Sequence, residues 1–258
     1  MSVLDSIIEG VREDLAARRL PLSQLHEQLS QAPQVIDAHK RLLAAPMTVI
    51  AEVKRASPSK GALASISDPR ALAAQYQEAG AAVVSVLTEQ RRFGGSLADL
   101  IDVRSEINIP ILRKDFMVDE YQFFEARAAG ADVVLLIVAA LSKNQLKDYY
   151  DLATELGMAV LVETHTHQEI EDALAIDPRI IGVNARNLKT LEIDLATFTQ
   201  LIPEIPSSVI RVAESGISAR SEVEIAQNAG AQAILVGETL VKSGEPTAVI
   251  NQLLGRTI

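Results

Sequence analysis

The sequence predicts an α/β protein in which eight parallel strands and their connecting helices close into a (β/α)8 barrel. Eight short β-branched runs begin 22 to 34 residues apart, and Ala- and Glu-rich segments with helical spacing lie between them. The runs are residues 48–53, 82–87, 109–112, 133–138, 158–162, 180–183, 209–213 and 233–236. Strands and helices that alternate at this interval are typical of parallel βαβ units. An open doubly wound sheet is the alternative, but no Gly-x-Gly-x-x-Gly pattern follows the first strand.

The segment before the first strand, residues 1–45, is predicted to be a helical extension packed on the barrel. Its first helix carries one apolar stripe, formed by Val3, Leu4, Ile7, Ile8, Val11 and Leu15. Because this stripe has to be buried, we expect the extension to cover the barrel mouth. No linker long enough to separate two domains interrupts the chain, so residues 1–258 are expected to form one domain.

Several helix ends are marked in the sequence. Asp68 followed by Pro69 is an N-cap with proline at the first helical position. The patterns that begin at Ser142 and Thr166 are those of capping boxes. Matching Ala-Gly-Ala steps are centred on Gly80, Gly130 and Gly230. Glycine just past a helix adopts the left-handed conformation that stops it, so these steps are predicted helix ends.

The composition limits the classes of function. The chain has 24 Lys and Arg against 34 Asp and Glu, a net charge of -10, which argues against a broad surface for nucleic acids or anionic membranes. It contains no cysteine, which excludes disulfides, thiolate metal sites and cysteine nucleophiles. No basic region followed by an apolar one is apparent at the N-terminus, and the longest apolar run is about half a membrane span. A cytoplasmic location is therefore expected.

Polar residues stand where the predicted strands end. In chain order they are Glu52, Lys54, Lys114, Glu163, Asn184 and Glu214. Side chains alternate along a strand, so Lys114 shares a face with Leu112, and Glu163 shares a face with Leu161. A single polar residue there is ordinarily a solvated strand end. Six polar residues at the carboxyl ends, where barrels carry catalytic groups, favour an active site. Acids paired with amines neutralise each other and are also the groups of general acid–base chemistry.

The loops after the last two strands favour phosphate binding. Residues 214–218 and 237–239 follow the seventh and eighth strands and contain Gly216 and Gly237. Glycine lets backbone N–H groups approach a ligand, and these two loops usually hold phosphate in barrels. Ordinary turns that contain glycine are the alternative.

Two aromatic residues and two histidines near the strand ends admit more than one interpretation. Phe93 and Phe116 either stack on a flat ligand or plug the barrel with apolar bulk. The spacing of Glu163, His165 and His167 is that of a metal ligand set. The threonine between the histidines has the pattern of a helix N-cap, so no metal is predicted.

Six motifs together resemble the indole-3-glycerol phosphate synthase family. They are residues 50–61 (IAEVKRASPSKG), 112–116 (LRKDF), 161–163 (LVE), 182–188 (GVNARNL), 213–217 (AESGI) and 236–238 (VGE). The first motif is long and specific, and the resemblance covers essentially the whole chain, including the N-terminal extension. It implies a TIM barrel and a decarboxylating carboxy-lyase of tryptophan biosynthesis.

The resemblance also implies the reaction. One substrate, 1-(2-carboxyphenylamino)-1-deoxyribulose 5-phosphate, is converted to indole-3-glycerol phosphate with loss of CO2 and water. The implied partner is therefore a small anionic substrate, without nucleic acid or membrane, and neighbouring tryptophan-pathway enzymes are candidate protein partners. No cofactor and no metal are expected.

The resemblance assigns roles to individual residues. Lys114 is implied as the general acid for the ketone oxygen, Glu163 as the base of the dehydration and Lys54 as its acid, although which lysine serves each step stays open. Glu52 would orient these amines. Substrate hydroxyls and carboxylate would be held by Asn184, Arg186, Glu214 and Ser215. The resemblance implies that the substrate phosphate is bound by Lys54, Ser57, Gly216 and Gly237. The anthranilate ring would be sandwiched by Phe93, Phe116, Leu135 and Leu188. Pro58 and Glu238 would make further substrate contacts.

Two other functions remain as alternatives. Phosphoribosylanthranilate isomerase is also a barrel that binds an anthranilate-bearing sugar phosphate, but only its phosphate loops resemble this chain, and its cysteine base has no counterpart here. A degenerate barrel that binds phosphorylated ligands without catalysis is expected to lack Lys114 or Glu163, and both are present.

Overall fold

The computed structural model describes residues 3–256 and contains a closed barrel. Its strands are β1 (Thr48–Val53), β2 (Ala56–Ser57), β3 (Gly61–Ala62), β4 (Val83–Leu87), β5 (Ile111–Lys114), β6 (Val133–Ile137), β7 (Ala159–Thr164), β8 (Ile180–Asn184), β9 (Ile210–Glu214) and β10 (Ala233–Val236). Eight of them pair in parallel in the cyclic order β1-β10-β9-β8-β7-β6-β5-β4, and β2 and β3 form a separate antiparallel hairpin. The predicted (β/α)8 barrel is confirmed, and the open sheet is wrong because β1 pairs with both β4 and β10.

Helices cover the barrel and form the segment before it. They are α1 (Val3–Arg18), α2 (Leu22–Ser30), α3 (Ala38–Leu42), α4 (Pro69–Glu78), α5 (Leu97–Glu106), α6 (Tyr121–Ala128), α7 (Lys143–Glu155), α8 (His167–Leu174), α9 (Ala196–Leu201), α10 (Arg220–Ala229), α11 (Glu238–Ser243) and α12 (Pro246–Leu254). Short 3-10 helices cover Val138–Ala140 and Ile202–Glu204. Among residues 3–256, no helix is long and apolar enough to cross a membrane.

The predicted helix ends are present, with one change. The Asp68 side chain caps α4, and Ser142 belongs to a complete capping box at the start of α7. Thr166 caps α8 as predicted, but the Glu169 carboxylate accepts the backbone N–H of His165 and does not close the box. The three glycines of the Ala-Gly-Ala steps have positive φ, as expected of helix stops.

The largest difference from the predicted strand bounds is at β5. The sequence predicts residues 109–112, whereas the pairing with β4 continues to Lys114, which lies opposite Leu87. The apolar pattern stops at Leu112 because Arg113 enters a buried polar network and Lys114 enters the cavity at the barrel mouth. Charged residues that are buried through pairing thus end the apolar pattern before the strand itself ends.

Alternation of side chains separates two cores. The barrel interior is filled by Leu112, Leu135, Leu161, Val212 and Leu235. Outward-facing strand residues pack in a second core with the surrounding helices. Each inner face continues two residues further along its strand. The side chains that follow this apolar plug on β5, β7 and β9 therefore reach the carboxyl end of the barrel.

The N-terminal helices lie at both ends of the barrel. Ile7 and Val11 of α1 are buried in one cluster with Phe116, at the carboxyl ends of the strands. Leu42 of α3 is buried at the amino ends, where its carbonyl oxygen accepts the Thr48 hydroxyl at 3.1 Å. α1 therefore packs at the carboxyl ends of the strands, whereas α3 packs at their amino ends.

Candidate active site

The carboxyl ends of the barrel strands surround a cavity of about 480 Å³. Its lining includes every residue that the sequence nominates for the site: Glu52, Lys54, Ser57, Pro58, Phe93, Lys114, Phe116, Leu135, Glu163, Asn184, Arg186, Leu188, Glu214, Ser215, Gly216, Gly237 and Glu238. Strand ends that are far apart in the chain therefore meet in one space, as closure of the barrel requires.

An ion pair between Lys114 and Glu163 lies in this cavity. The Lys114 Nζ atom is 3.0 Å from Glu163 Oε2, and the Glu163 side chain is only 1% exposed. The Asn184 amide donates to the other carboxylate oxygen, Glu163 Oε1, at 3.1 Å. Burial disfavours the carboxylate, but Lys114 and His165 outweigh it and hold the pKa of Glu163 well below its ordinary value. Burial likewise disfavours the ammonium, but the surrounding carboxylates, Glu163 foremost, raise the pKa of Lys114.

A further carboxyl group, that of Glu214, lies beside Glu163. Burial and the neighbouring Glu163 charge raise the pKa of Glu214 well above its ordinary value. The Glu214 Oε1 atom has no hydrogen-bond partner among residues 3–256. Gly182 makes room for this carboxyl, because a Cβ at that position would collide with Glu214 Oε1. The direction of this pKa shift favours the protonated form of the Glu214 carboxyl over the ionised form.

A second ion pair joins Glu52 and Lys54 at the end of β1. The Lys54 Nζ atom is 2.6 Å from Glu52 Oε1, and the Ser85 hydroxyl donates to Glu52 Oε2 at 3.4 Å. Gly237 lies directly against this carboxylate, since a Cβ there would collide with Glu52 Oε1. The two charges predicted to share a face therefore compensate each other, and Lys54 lines the cavity with its side chain 19% exposed.

One end of the cavity is formed by the β2–β3 hairpin and the loops after β8 and β10. Arg186 donates from Nη1 to the Ser59 hydroxyl at 3.2 Å. Lys60 of the hairpin donates to Glu238 at 2.7 Å, and Lys242 donates to the same carboxylate at 2.7 Å. The Glu238 carboxylate, nominated as a substrate contact, is therefore engaged by two lysines in the free protein.

The loop after β9 depends on a glycine. Ser215 and Gly216 have φ values of +69° and +78°, in the left-handed region that favours glycine. A Cβ on Gly216 would lie 2.7 Å from side-chain atoms of both Ile193 and Leu195. A larger side chain at position 216 is thus opposed by the backbone conformation and by the neighbouring apolar wall.

Another part of the lining is apolar. The rings of Phe93 and Phe116 have centroids 6.2 Å apart and planes tilted by 41°. Leu135 and Leu188 line the cavity with them. α1 adds three residues of its apolar stripe, Val3, Leu4 and Ile7. The stripe that the sequence predicts to be buried therefore contributes to the lining of the cavity.

Sequence reasoning misses several lining residues. They include Ser59, Lys60, Leu87, Ile137, Leu191, Ile193, Leu195, Ile217 and Thr239. Lys60 carries a usable signal, because it belongs to the same polar loop as Ser57. The apolar residues carry none, since an apolar residue in or next to a loop has the same pattern whether it faces a helix or a ligand.

The two histidines after β7 have different surroundings. His165 lies against Glu163 with its side chain 8% exposed, whereas His167 is exposed and pairs with Glu204. In residues 3–256, no group of three His, Cys, Asp or Glu side chains is arranged to hold a metal ion. The metal-like spacing in the sequence therefore does not correspond to a converging ligand set in the described structure.

Comparison with protein families decides among the functional alternatives. The family model described as indole-3-glycerol phosphate synthase matches residues 4–253. The chain belongs to the indole-3-glycerol phosphate synthase family. Proteins named indole-3-glycerol phosphate synthase from Streptomyces griseus subsp. griseus and Rhodococcus jostii are each 54% identical over 256 residues, which cover 98% of this chain and 95% of each relative. The resemblance carried by the six motifs is confirmed.

Solved structures with other activities share the barrel of this indole-3-glycerol phosphate synthase family member. A 3-hexulose-6-phosphate synthase matches with a TM-score of 0.66 at 15% identity, covering 82% of this chain and 99% of that one. An N-acetylmannosamine-6-phosphate 2-epimerase from Clostridium perfringens matches with a TM-score of 0.62 at 13% identity, covering 86% and 97%. At such low identity the likeness concerns the fold alone.

Proposed function

We propose that the protein converts 1-(2-carboxyphenylamino)-1-deoxyribulose 5-phosphate into indole-3-glycerol phosphate, CO2 and water. The observation that carries this proposal is the buried Lys114–Glu163 pair, set in a cavity that has cations at one end and an aromatic wall. The flat anthranilate ring suits the wall, and the phosphate suits the cationic end. Membership of the family supports the same reaction.

Ring closure is the step assigned to Lys114. The aromatic carbon that bears the carboxylate attacks the ketone carbon, and a carbon–carbon bond forms. The electron pair of the C=O bond moves to oxygen, which takes a proton from the Lys114 ammonium. The carboxylate then leaves as CO2, and the electrons of the broken bond restore the aromatic ring.

Dehydration is the step assigned to Glu163 and Lys54. The new hydroxyl leaves as water with a proton from a general acid, for which Lys54 lines the same cavity. Glu163 takes a proton from the adjacent methylene carbon, and the electrons of that C–H bond form the double bond of the pyrrole ring. Lys114 lines the same cavity, so either lysine could serve each step. The kinetics of Lys114→Met, described below, distinguish between them.

The protonation states of the free protein suit these roles. The surrounding carboxylates keep Lys114 protonated, and Lys114 and His165 keep Glu163 ionised, so acid and base are in the required forms before substrate binds. Glu214, whose pKa is raised, is assigned as a hydrogen-bond donor to a substrate hydroxyl. Glu52 is assigned to hold the Lys54 ammonium in place.

The remaining lining residues are assigned to substrate binding. Substrate hydroxyls and carboxylate are assigned to Asn184, Arg186 and Ser215, and the phosphate end to Lys54, Ser57, Gly216 and Gly237. The ring sandwich is assigned to Phe93, Phe116, Leu135 and Leu188, and further substrate contacts to Pro58 and Glu238. Lys60 adds a cation at the phosphate end once its pair with Glu238 opens. Charge-assisted hydrogen bonds to phosphate oxygens are the physical basis of this assignment.

The proposal is tested by following the indole chromophore when the purified protein is mixed with the carboxyphenylamino substrate. We expect turnover that persists after exhaustive treatment with EDTA. Glu163→Gln keeps the side-chain shape but cannot accept the proton, so its turnover should fall by about 10²- to 10⁴-fold. Conversion of phosphoribosylanthranilate without any indole would establish the isomerase alternative, and activity lost to EDTA and restored by zinc would contradict catalysis without a metal.

α1 is expected to contribute to substrate binding rather than to chemistry. Replacing Leu4 and Ile7 together by alanine removes apolar lining and leaves the Lys114–Glu163 pair untouched. We expect KM to rise about 5- to 30-fold, or about 1–2 kcal/mol, with kcat within about twofold. Leu43→Ala is the control, because Leu43 belongs to the same extension but is 54% exposed. A double variant with the KM of the control would exclude α1 from the binding surface.

We further propose that the protein works in the cytoplasm beside the other enzymes of tryptophan biosynthesis. Substrate and product are phosphate esters, and their charge keeps them from crossing a bilayer, so successive enzymes have to share a compartment. Those enzymes are the candidate protein partners. Cell fractionation followed by immunodetection measures the location.

A further inference from the structure

His165, the residue after β7, is placed between two carboxylates. The Nδ1 atom is 3.0 Å from Glu169 Oε2, and the Nε2 atom is 3.2 Å from Glu163 Oε1. A neutral imidazole carries a proton on only one nitrogen and would turn the lone pair of the other toward a carboxylate. The doubly protonated ring is the form that suits both neighbours.

Glu169 anchors the ring from the first turn of α8. Besides facing Nδ1, its Oε2 atom accepts the backbone N–H of His165 at 2.8 Å. This contact is the reason that the capping box predicted at Thr166 is incomplete, since the glutamate that would close it serves the histidine instead.

The contact between His165 and Glu163 is electrostatic in this structure. The Nε2 atom is buried and has no hydrogen-bond partner among residues 3–256, because its N–H direction is not aligned with Glu163 Oε1. Burial disfavours the imidazolium, but the carboxylates of Glu163 and Glu169 outweigh it and raise the pKa of His165 to about 9.

The other charged or titratable groups at Glu163 come from neighbouring strands. Lys114 extends from β5 to Glu163 Oε2, and the carboxyl of Glu214, whose pKa is raised, approaches from β9. When Lys114 gives its proton to the ketone oxygen, Glu163 loses the charge of its partner. Without another cation, Glu163 would then compete with Glu214 for a proton and lose its capacity as a base.

We propose that His165 is a positioning residue: as a cation held between Glu169 and Glu163, it keeps the Glu163 carboxylate ionised and fixed in orientation while Lys114 donates its proton. The proposal rests on the proposed function, because it concerns the base of the dehydration step. It requires no contact between His165 and the substrate.

The first test needs no activity. In ¹H–¹⁵N spectra of the histidine rings, the His165 signals, assigned by their loss in His165→Gln, should be those of a doubly protonated ring at pH 7.5. Glu169→Gln removes the charge that faces Nδ1 and leaves the ring in place, so the His165 signals should titrate at a lower pH than in the unmodified protein. A neutral His165 ring at pH 7.5 in the unmodified protein would overturn the proposal.

The second test is the pH dependence of turnover. His165→Gln keeps a neutral donor near Nε2 but removes the charge, so the acidic limb of its kcat profile should rise by about 1–3 pH units. At the pH of the unmodified protein's acidic midpoint, kcat should fall by about fivefold or more, with KM within about threefold, because the substrate is not contacted. Glu169→Gln should move the acidic limb in the same direction by a smaller amount.

His167→Gln is the matched control, because His167 lies two residues away, is exposed and pairs with Glu204 on the surface. Its profile should coincide with that of the unmodified protein. A folded His165→Gln with an unshifted acidic limb would overturn the proposal, and if that variant does not fold, an unshifted Glu169→Gln would do so. Absence of indole formation by the unmodified protein would instead overturn the proposed function, and the ring spectra would still decide the state of His165.

Discussion

Lys114→Met is expected to lower kcat by about 10²- to 10⁴-fold, because it removes the proton donor for the ketone oxygen and keeps most of the side-chain bulk. This loss corresponds to about 3–5 kcal/mol in the free energy of activation. Substrate affinity should fall far less, since the phosphate and the anthranilate ring are assigned to other loops of the cavity. Steady-state turnover and a titration of substrate dissociation measure the two effects separately.

The variant should fold, because Glu163 keeps its contacts with Asn184 and His165 when Lys114 is gone. Lys147→Met is the control, since Lys147 forms only an exposed pair with its neighbour one turn along α7. Should Lys114→Met retain kcat within about threefold of this control, a difference of ~0.7 kcal/mol, Lys114 is not the acid and Lys54 takes its place as the candidate.

Arg113→Met is expected to lower the free energy of unfolding by about 3–5 kcal/mol, the cost of leaving buried carboxylates without their cation. The Arg113 side chain is 0% exposed. It donates to the side chains of Thr88, Asp115 and Glu125 and to the carbonyl oxygen of Gln122. At about 2–4 °C per kcal/mol for a chain of this size, the melting temperature should fall by about 6–20 °C, as measured by calorimetry.

Arg70→Met is the stability control, because it removes an exposed cation whose solvated pair with Asp68 contributes little to stability. A double variant that also changes Glu125 to Gln should recover part of the lost stability, since it removes one of the orphaned charges. An Arg113→Met melting temperature equal to that of the control would show that the buried network contributes no net stability. Glu125 also pairs with Arg18 of α1, so this network joins the N-terminal helix to the strand that carries Lys114.

The barrel is predictable from the sequence because strands that are buried on both faces appear as continuous apolar runs. The helices between them appear as segments whose apolar residues recur every three to four positions. All eight runs are barrel strands. The site is predictable for the same reason, since Glu163 and Glu214 interrupt apolar runs at the ends that a barrel brings together. Alternation of side chains predicted that Glu52 and Lys54 share one face of their strand. In the structure, the two side chains form a direct ion pair.

Other features depend on contacts between distant segments and leave no local pattern. The position of α3 beneath the barrel follows from the fit of Leu42 into its amino end, and a short apolar helix has the same sequence pattern on any surface. The raised pKa of Glu214 depends on its burial and on the charge of Glu163, and the space for the Glu214 carboxyl depends on Gly182. Two patterns were misleading: the apolar run of β5 ends before the strand, and Glu169 binds His165 where a capping box was predicted.

Closure of the barrel between β1 and β10 has a consequence for synthesis of the chain. β1 is among the first segments to leave the ribosome, but one of its two partner strands is among the last. Until that strand arrives, the growing sheet has open edges made of apolar strands, which are the surfaces on which chains aggregate. Glu52 also stays without the loop that carries Gly237 during this time. Loss of the last strand, even late in translation, would therefore leave a product that exposes its core and lacks the arrangement of charges at its mouth.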